Sequence, residues 1–470
     1  MQIPILTGSF TDDNSDFRTS YPKNLVPVPK KQGISLGYLR PAYGIVPLGT
    51  GSGVDRGAIN WKGSCYRVSG TKLIQVATDG TTTVLGDVGG TGQCSMDYSF
   101  DRLSVTSGEK LFYWDGVTLT EVTDPDAGVA LTHIWVDGYF MWNDDENLVV
   151  SELTDPTDVN PLKYGSSEID PDPVMAVIKV RNEPHAVNRH TIEPFYNNPN
   201  AGANEFPFQR VENAQTTKGA VGSFACCEFD DSVAFVGGDR DESNAVYLAA
   251  NGSWQKISDQ EVDKVINDLT DSQLADIVCE KRFHESHSFL YVHLPDRTLV
   301  YDLSASKLMQ QPVWHEWGTG RDEHNRLLCR NMVWCYNEWI VGDPDSSQIG
   351  TLSNAVGSHW GELNGWRFDT GIIYNSSRKL QIHELEFVAL TGRVALGTSP
   401  QIWTSHSTDG VEPYSQPRYI DAGEQGQRNK RLRLQGGGII DNWRIQRTEG
   451  TSDSHLSFAR IEARVEPMNW

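Results

Sequence analysis

The sequence predicts an all-β protein, a β-propeller of six or seven blades with a short helical insert, followed by a C-terminal β-sandwich. Three observations predict it. Short apolar strands recur in hairpin units from residue 55 to about 355, at a spacing close to the ~40–50 residues of propeller blades. Longer strands with cleaner alternation follow past Gly357. The 43 Gly, 22 Pro and 46 aromatics (14 Trp, 16 Tyr, 16 Phe) suit short strands joined by many turns. At 470 residues the chain exceeds what one core usually holds. The expected division is an extended arm over 1–54, a propeller over 55–356 with its insert near 258–278, and a sandwich over 357–470.

The arm is read from Pro4, Pro22, Pro27, Pro29, Pro41 and Pro47, which interrupt any periodic pattern. Within it Gly37-Tyr38-Leu39-Arg40-Pro41 is compact and aromatic, a segment suited to anchoring. The repeating units start near Tyr66, Leu103, Tyr139, Val187, Val233, Phe289 and Trp339, at gaps of 36 to 56 residues. The fourth, around HAVNRHTIEPFY, is blurred, and the seventh is either a blade or the closure of the ring. Radial stacking of such small sheets leaves only short, protected edges. The longest gap holds the helical insert. There Ser258 and Glu261 predict a capping box, and Val262, Val265, Ile266 and Leu269 form one helical stripe. Thr270 and Gln273 predict a second box, with Leu274, Ile277 and Val278 behind it. Helices this short need a surface to lie on, and the hairpin that follows supplies one. In the sandwich, LQIHELEFVAL places Leu380, Ile382, Leu385 and Phe387 on one side, with a break in phase at His383–Glu384 that predicts a bulge.

The charge balance is 62 Asp+Glu against 40 Lys+Arg, a formal net charge of -22. Affinity for phosphates comes from Lys and Arg, so this balance argues against a protein that grips nucleic acid. No apolar run approaches the ~20 residues of a membrane span. MQIPILTGSF lacks the basic start and long apolar stretch of a signal peptide. Seven scattered cysteines are read as free thiols in a reducing cytoplasm.

No constellation for catalysis emerges. Cys279, His284, His287 and His293 match no zinc spacing, and a strand splits the last of them between faces. Cys226 and Cys227 are adjacent in a strand and are read as core thiols. The turns Asn143–Asn147, Gly237–Ser243 and Gly342–Ser347 are acidic, with Asp144, Asp145, Glu146, Asp239 and Asp241 prominent. None has the full ligand order of a calcium loop, so they are read as solvated surface turns, with calcium binding the lesser alternative. Ser407-Thr408-Asp409-Gly410 is a fragment of a sialidase-type box and reads as a β-turn. Gly49-Thr50-Gly51-Ser52-Gly53 lacks the Lys of a phosphate loop. The one basic run, Gln427 to Arg433, puts Arg431 and Arg433 on one strand face, opposite Leu432 and Leu434. It suits an edge meeting an acidic partner, or an edge kept charged against aggregation.

Several stretches, in consistent order, resemble the tail hub or nozzle proteins of short-tailed bacteriophages, also called packaged DNA stabilisation proteins. They are Gly37-Tyr38-Leu39-Arg40, Gly53-Val54-Asp55-Arg56-Gly57, Tyr66-Arg67-Val68-Ser69-Gly70 with Lys72-Leu73, Gly86-Asp87-Val88, Tyr113-Trp114-Asp115-Gly116 and HSFLYVHLPDRTLVYDLSAS. The likeness covers about residues 34–122 and 255–305. It implies a structural protein of the virion tail, assembled in the host cytoplasm, with no reaction and no cofactor or metal. Six copies would form a ring below the portal and its adaptor ring, continuing the DNA channel. A needle or plug would bind distally, and tailspikes or fibres around it. Genomic DNA would pass without tight binding, repelled by acidic walls, and nothing would insert into a membrane. On this reading Tyr38, Leu39 and Arg40 of the arm, with Val262 and Ile266 of the helices, are candidate contacts to neighbouring subunits or the adaptor. The alternative for the helices is packing on their own blade. The rival class is a propeller glycosidase or depolymerase acting on host surface polysaccharide, which needs two carboxylates ~5–10 Å apart in a cleft.

Overall fold

A computed structural model describes residues 1–11, 16–31, 33–167, 170–376, 378–411 and 414–468. They form two compact units, one of Pro47–Pro295 with Leu328–Thr351, the other of Met1–Val46, Asp296–Leu327 and Leu352–Trp470.

The first unit is the propeller. Its innermost strands are Asp55–Trp61, Ser95–Tyr98, His133–Val136, Val174–Val180, Cys226–Phe229, Val278–His284 and Arg330–Cys335. Each packs on the next, and the last packs on the first. The ring is therefore closed with seven blades. Each of the seven starts read from the sequence falls in a blade's second strand, including Val187 in Glu183–Asn188 of the blurred fourth unit. Closure follows from the strand order of the seventh blade. There Gly44–Thr50, which precedes the first blade, adds outside Gln348–Ser353.

Local sequence explains the tight inner hairpins. In six blades two residues join the first and second strands, and both have positive φ, as in Asp137-Gly138 (49° and 95°) and Tyr336-Asn337 (55° and 64°). This is the turn whose twist matches that of the strands it joins. The helical insert comprises Gln260–Asn267 and Asp271–Ala275. The first cap lies one residue later than expected. Asp259 accepts from the Val262 amide at 3.1 Å, while Ser258 is drawn away to the Val246 amide and Asp263. The Thr270–Gln273 box is present as read.

The second unit is the sandwich, and here the expected arm is corrected. Leu25–Pro29 and Gly37–Pro41 pair with each other, and Gly37–Pro41 continues onto Ser457–Pro467, Leu380–Leu390 and Leu432–Ile440 in one sheet. Gln2–Ile3 also pairs with Ser457–Pro467. Pro27 and Pro29, two of the prolines that suggested an arm, are tolerated because Leu25–Pro29 is the sheet's outermost strand, where a missing amide costs no ladder bond. The facing sheet runs Gly365–Asp369, Trp443–Thr451, Gln401–Ser407 and Arg418–Asp421. Ile3, Ile5, Leu25 and Leu39 share its core with Phe368, Leu385, Phe387 and Phe458. The bulge lies where the phase break placed it, between Ile382 and Glu384. A third helix, Leu303–Met309, was not legible from its pattern; Asp302 caps it at the Ala305 amide.

Candidate functional site

Because every blade starts at the axis and runs outward with alternating strands, all turns between second and third strands leave the propeller at one end. The links between blades, and the helical insert, leave at that same end. The three acidic turns flagged in the sequence are all of this class. Asp144 spends its Oδ1 on the amides of Glu146 and Asn147 (3.1 and 2.6 Å), leaving Asp145 and Glu146 exposed. Asp239 accepts from the Arg240 amide at 2.7 Å, and Asp241 is exposed. Asp343 is buried, and holds the Asp345 amide at 2.9 Å and the Ser346 hydroxyl at 2.5 Å. The insert adds exposed Asp268, Asp271 and Asp276 to the same end. Some of this charge is balanced locally, since Arg240 pairs with Asp170 at 2.7 Å and Lys218 with Glu242. Among the described residues no group of three His, Cys, Asp or Glu is placed to hold a metal ion.

Around the axis, polar side chains tie blade to blade. Arg67 Nε donates to Asp55 Oδ2 at 2.6 Å, Asn331 Nδ2 donates to Asp55 Oδ1 at 2.6 Å, and the Asn331 amide donates to Glu280 at 2.5 Å. This chain joins the first, seventh and sixth blades. Burial alone would depress the Arg67 guanidinium, but the Asp55 carboxylate outweighs it and holds the group above its ordinary value. Arg56 reaches the carbonyls of Gly70, Gly89 and Gly92 and the Ser107 hydroxyl at 2.6–2.8 Å, fastening the first blade to the second. Asp97 accepts from the Trp135 amide and from Lys179 at 2.7 and 2.8 Å, linking the second, third and fourth. Composition gave no hint of this belt.

His133 lies buried in it, 2.7 Å from the Ser104 hydroxyl, and burial pushes its pKa down to about 4. The unfolded histidine titrates near ~6.5, so between these values the unfolded chain binds the extra proton. The stability contribution is complete above ~pH 6.5 and is lost as pH falls toward 4. Buried His359, in the sandwich unit, is also pushed down to about 4 by burial. The melting temperature is therefore expected to fall between pH 7 and 4.5, with His133→Gln flattening part of that slope in calorimetric scans.

The other sequence-predicted residues divide. Leu39, Val262 and Ile266 are fully buried at 0% exposure, so they are not surface contacts. Leu39 fills the sandwich core, and the helix bearing Val262 and Ile266 packs on the strand Ala245–Ala250 of its own blade. Tyr38 and Arg40 are half-buried, with Lys30 over the Tyr38 ring at 5.2 Å. Arg433 lies on the outer face of the edge strand Leu432–Ile440 and exposed Arg431 directly precedes it, with Leu432 and Leu434 inside. Arg431 pairs with Glu386 and Arg433 with Glu384 at 3.4 Å, so these two cations are paired within their own sheet. All seven cysteines are free, and all but half-buried Cys227 are buried. Burial raises the Cys226 thiol to about 12, which leaves it unreactive.

The sequence matches the family described as Bacteriophage P22 Gp10, β-propeller, over residues 1–357, and its β-sandwich counterpart over residues 365–466. It is 26% identical over 451 residues to the tail hub protein gp10 of Salmonella phage P22, covering 92% of each chain. Solved structures with a similar outline include the N-terminal domain of Nup159 (10% identity, 71% of this chain and 99% of that one, TM-score 0.40). The WD40 domain of Neurospora crassa Pan2 is comparable (9% identity, 66% and 94%, TM-score 0.41). These two likenesses are too slight to carry an argument. A closed propeller followed by a sandwich, matched along nearly the whole sequence, places this chain in the Bacteriophage P22 Gp10 family.

Proposed function

We propose that this chain is a structural tail hub of a phage virion and not an enzyme. Six copies form a ring below the portal and its adaptor, carry the DNA channel onward, and offer sites to a distal needle or plug and to tailspikes or fibres. The observation that carries this reading is the match to a tail hub protein over 92% of both chains. Among the described residues no helix is long and apolar enough to cross a membrane, which suits a role that involves no insertion. Electron microscopy of particles containing the protein tests the reading. An axial ring with six copies is expected, and absence from the tail axis would defeat it.

The acidic end of the propeller supports the further reading that DNA slides through without being held. Phosphates approaching exposed Asp145, Glu146 and Asp241 meet like charge. Purified protein titrated with duplex DNA at low salt is expected to show no saturable binding. Tight binding that weakens steeply with salt would mean the channel grips its cargo.

A further inference from the structure

The sandwich unit carries two adjoining grooves, of about 610 and 550 Å³, that share Lys30, Ser35, Gly37 and Ala459 as a common wall. Neither is lined by any Asp or Glu among the described residues, in a chain where acids outnumber bases 62 to 40. Their charged lining is basic, comprising Lys30, Lys31, Arg40, Arg393 and Arg460. Arg460 pairs with Glu462, but no ion pair engages Lys31 or Arg393 among the described residues. The apolar part is unusually bare, with Leu36 81%, Ile34 61% and Leu390 56% exposed. Exposed apolar surface rimmed by one sign of charge marks a binding site for a partner of the opposite sign.

The propeller unit carries a segment with the complementary character. The third and fourth strands of the third blade are joined by thirteen residues, Ser151 to Lys163, where the first, second and fifth blades use two to five, the fourth ten, and the sixth eleven that hold the helix Leu303–Met309. Long connections in a compact repeat are where function concentrates. This one is held in shape: Glu152 pairs with Lys163 at 2.7 Å, its amide donates to the Asp158 carbonyl at 3.0 Å, and Asp155 holds the Thr157 amide at 3.0 Å. It presents Leu153 and Leu162 at 57% and 62% exposure beside exposed Asp155 and Asp158. Little ordering entropy remains to be lost on docking.

We propose that the basic, apolar grooves of the sandwich unit receive the Leu153-bearing loop of a second copy of this chain. The contact joins two different surfaces, so its repetition is head-to-tail and generates a ring when the rotation closes. The inference rests on the hub reading and deepens it by naming the surfaces that neighbouring copies use. It also returns Tyr38 and Arg40 to the interface, as groove walls, without the buried residues that the sequence had grouped with them.

A trapping experiment on the full chain decides it. A Leu153→Cys chain is mixed with a Leu36→Cys chain under mild oxidation, and the disulfide-linked dimer is quantified on a denaturing gel. The control replaces Leu153→Cys by Val117→Cys, a position 83% exposed on the neighbouring blade. The expected yield is roughly tenfold above that control, as a site-specific contact requires. Lys30→Glu with Lys31→Glu in the groove chain is expected to cut the yield about fivefold. No trapping, equal trapping by Val117→Cys, indifference to the charge reversal, or preferential linking of two Leu36→Cys chains would each overturn the proposal. A ring seen in tails alongside any of these results would leave the hub reading standing, whereas absence from tails would remove that reading whatever the gel shows.

Discussion

Deleting residues 1–35 is expected to unfold the sandwich unit, not to release a detachable arm. The deletion removes Ile3, Ile5 and Leu25, which are 1–2% exposed in its core, and the edge strand Leu25–Pro29. Truncating one such side chain typically costs about 2–5 kcal/mol, and ordinary domains are stable by only about 5–15 kcal/mol. Losing three together with a strand's hydrogen bonds exceeds that margin. Limited proteolysis read by mass spectrometry is expected to find new cleavages throughout residues 357–468 of the deleted chain. A protease-resistant sandwich in that chain would contradict the account. The graded version, Leu25→Ala, is expected to lower the unit's stability by about 2–5 kcal/mol in urea titrations.

The second large effect is expected at the propeller's closure. Arg67→Met leaves the Asp55 carboxylate buried with Asn331 as its remaining named partner, 2.6 Å away. Breaking a buried pair by removing one member costs about 3–5 kcal/mol, because the survivor's charge stays desolvated. The propeller's urea midpoint should fall accordingly. Asp55→Leu combined with Arg67→Met should recover part of the loss, since an apolar pair leaves no stranded charge. Gly342→Ala provides an independent probe. A Cβ there would lie 2.2 Å from Asp55 Cγ, so the carboxylate must leave its seat. If Arg67→Met unfolds no more easily than the native chain, the belt is not what keeps the ring shut.

Much of the architecture was legible because hydrophobic period is local. Alternation located a strand in every blade, and a single phase break in Leu380–Leu390 placed the bulge. The blade number became decidable only from pairing between distant segments, which no local pattern carries. The first 46 residues misled for a physical reason: Pro27 and Pro29 forbid a central strand yet are permitted at an edge, and sequence does not say which position a strand will occupy. The apolar stripe holding Val262 and Ile266 was read correctly as a stripe, but its partner is its own blade. Asp55, Arg56 and Arg67 belong to short motifs that resemblance picked out without a reason. Their reason is the belt at the axis, whose partners Asn331 and Glu280 lie more than 200 residues away in sequence.

The closure of the seventh blade by Gly44–Thr50 sets a timetable for the nascent chain. This strand leaves the ribosome about 300 residues before its partner Gln348–Ser353, an interval of roughly 15–60 s at ordinary translation rates. Through that time it is an unmatched ladder edge, the kind of template on which foreign strands aggregate. Pro47, in the middle of the strand, removes one donor from that edge. That residue thus shields the polypeptide while it waits for its last turn to be made.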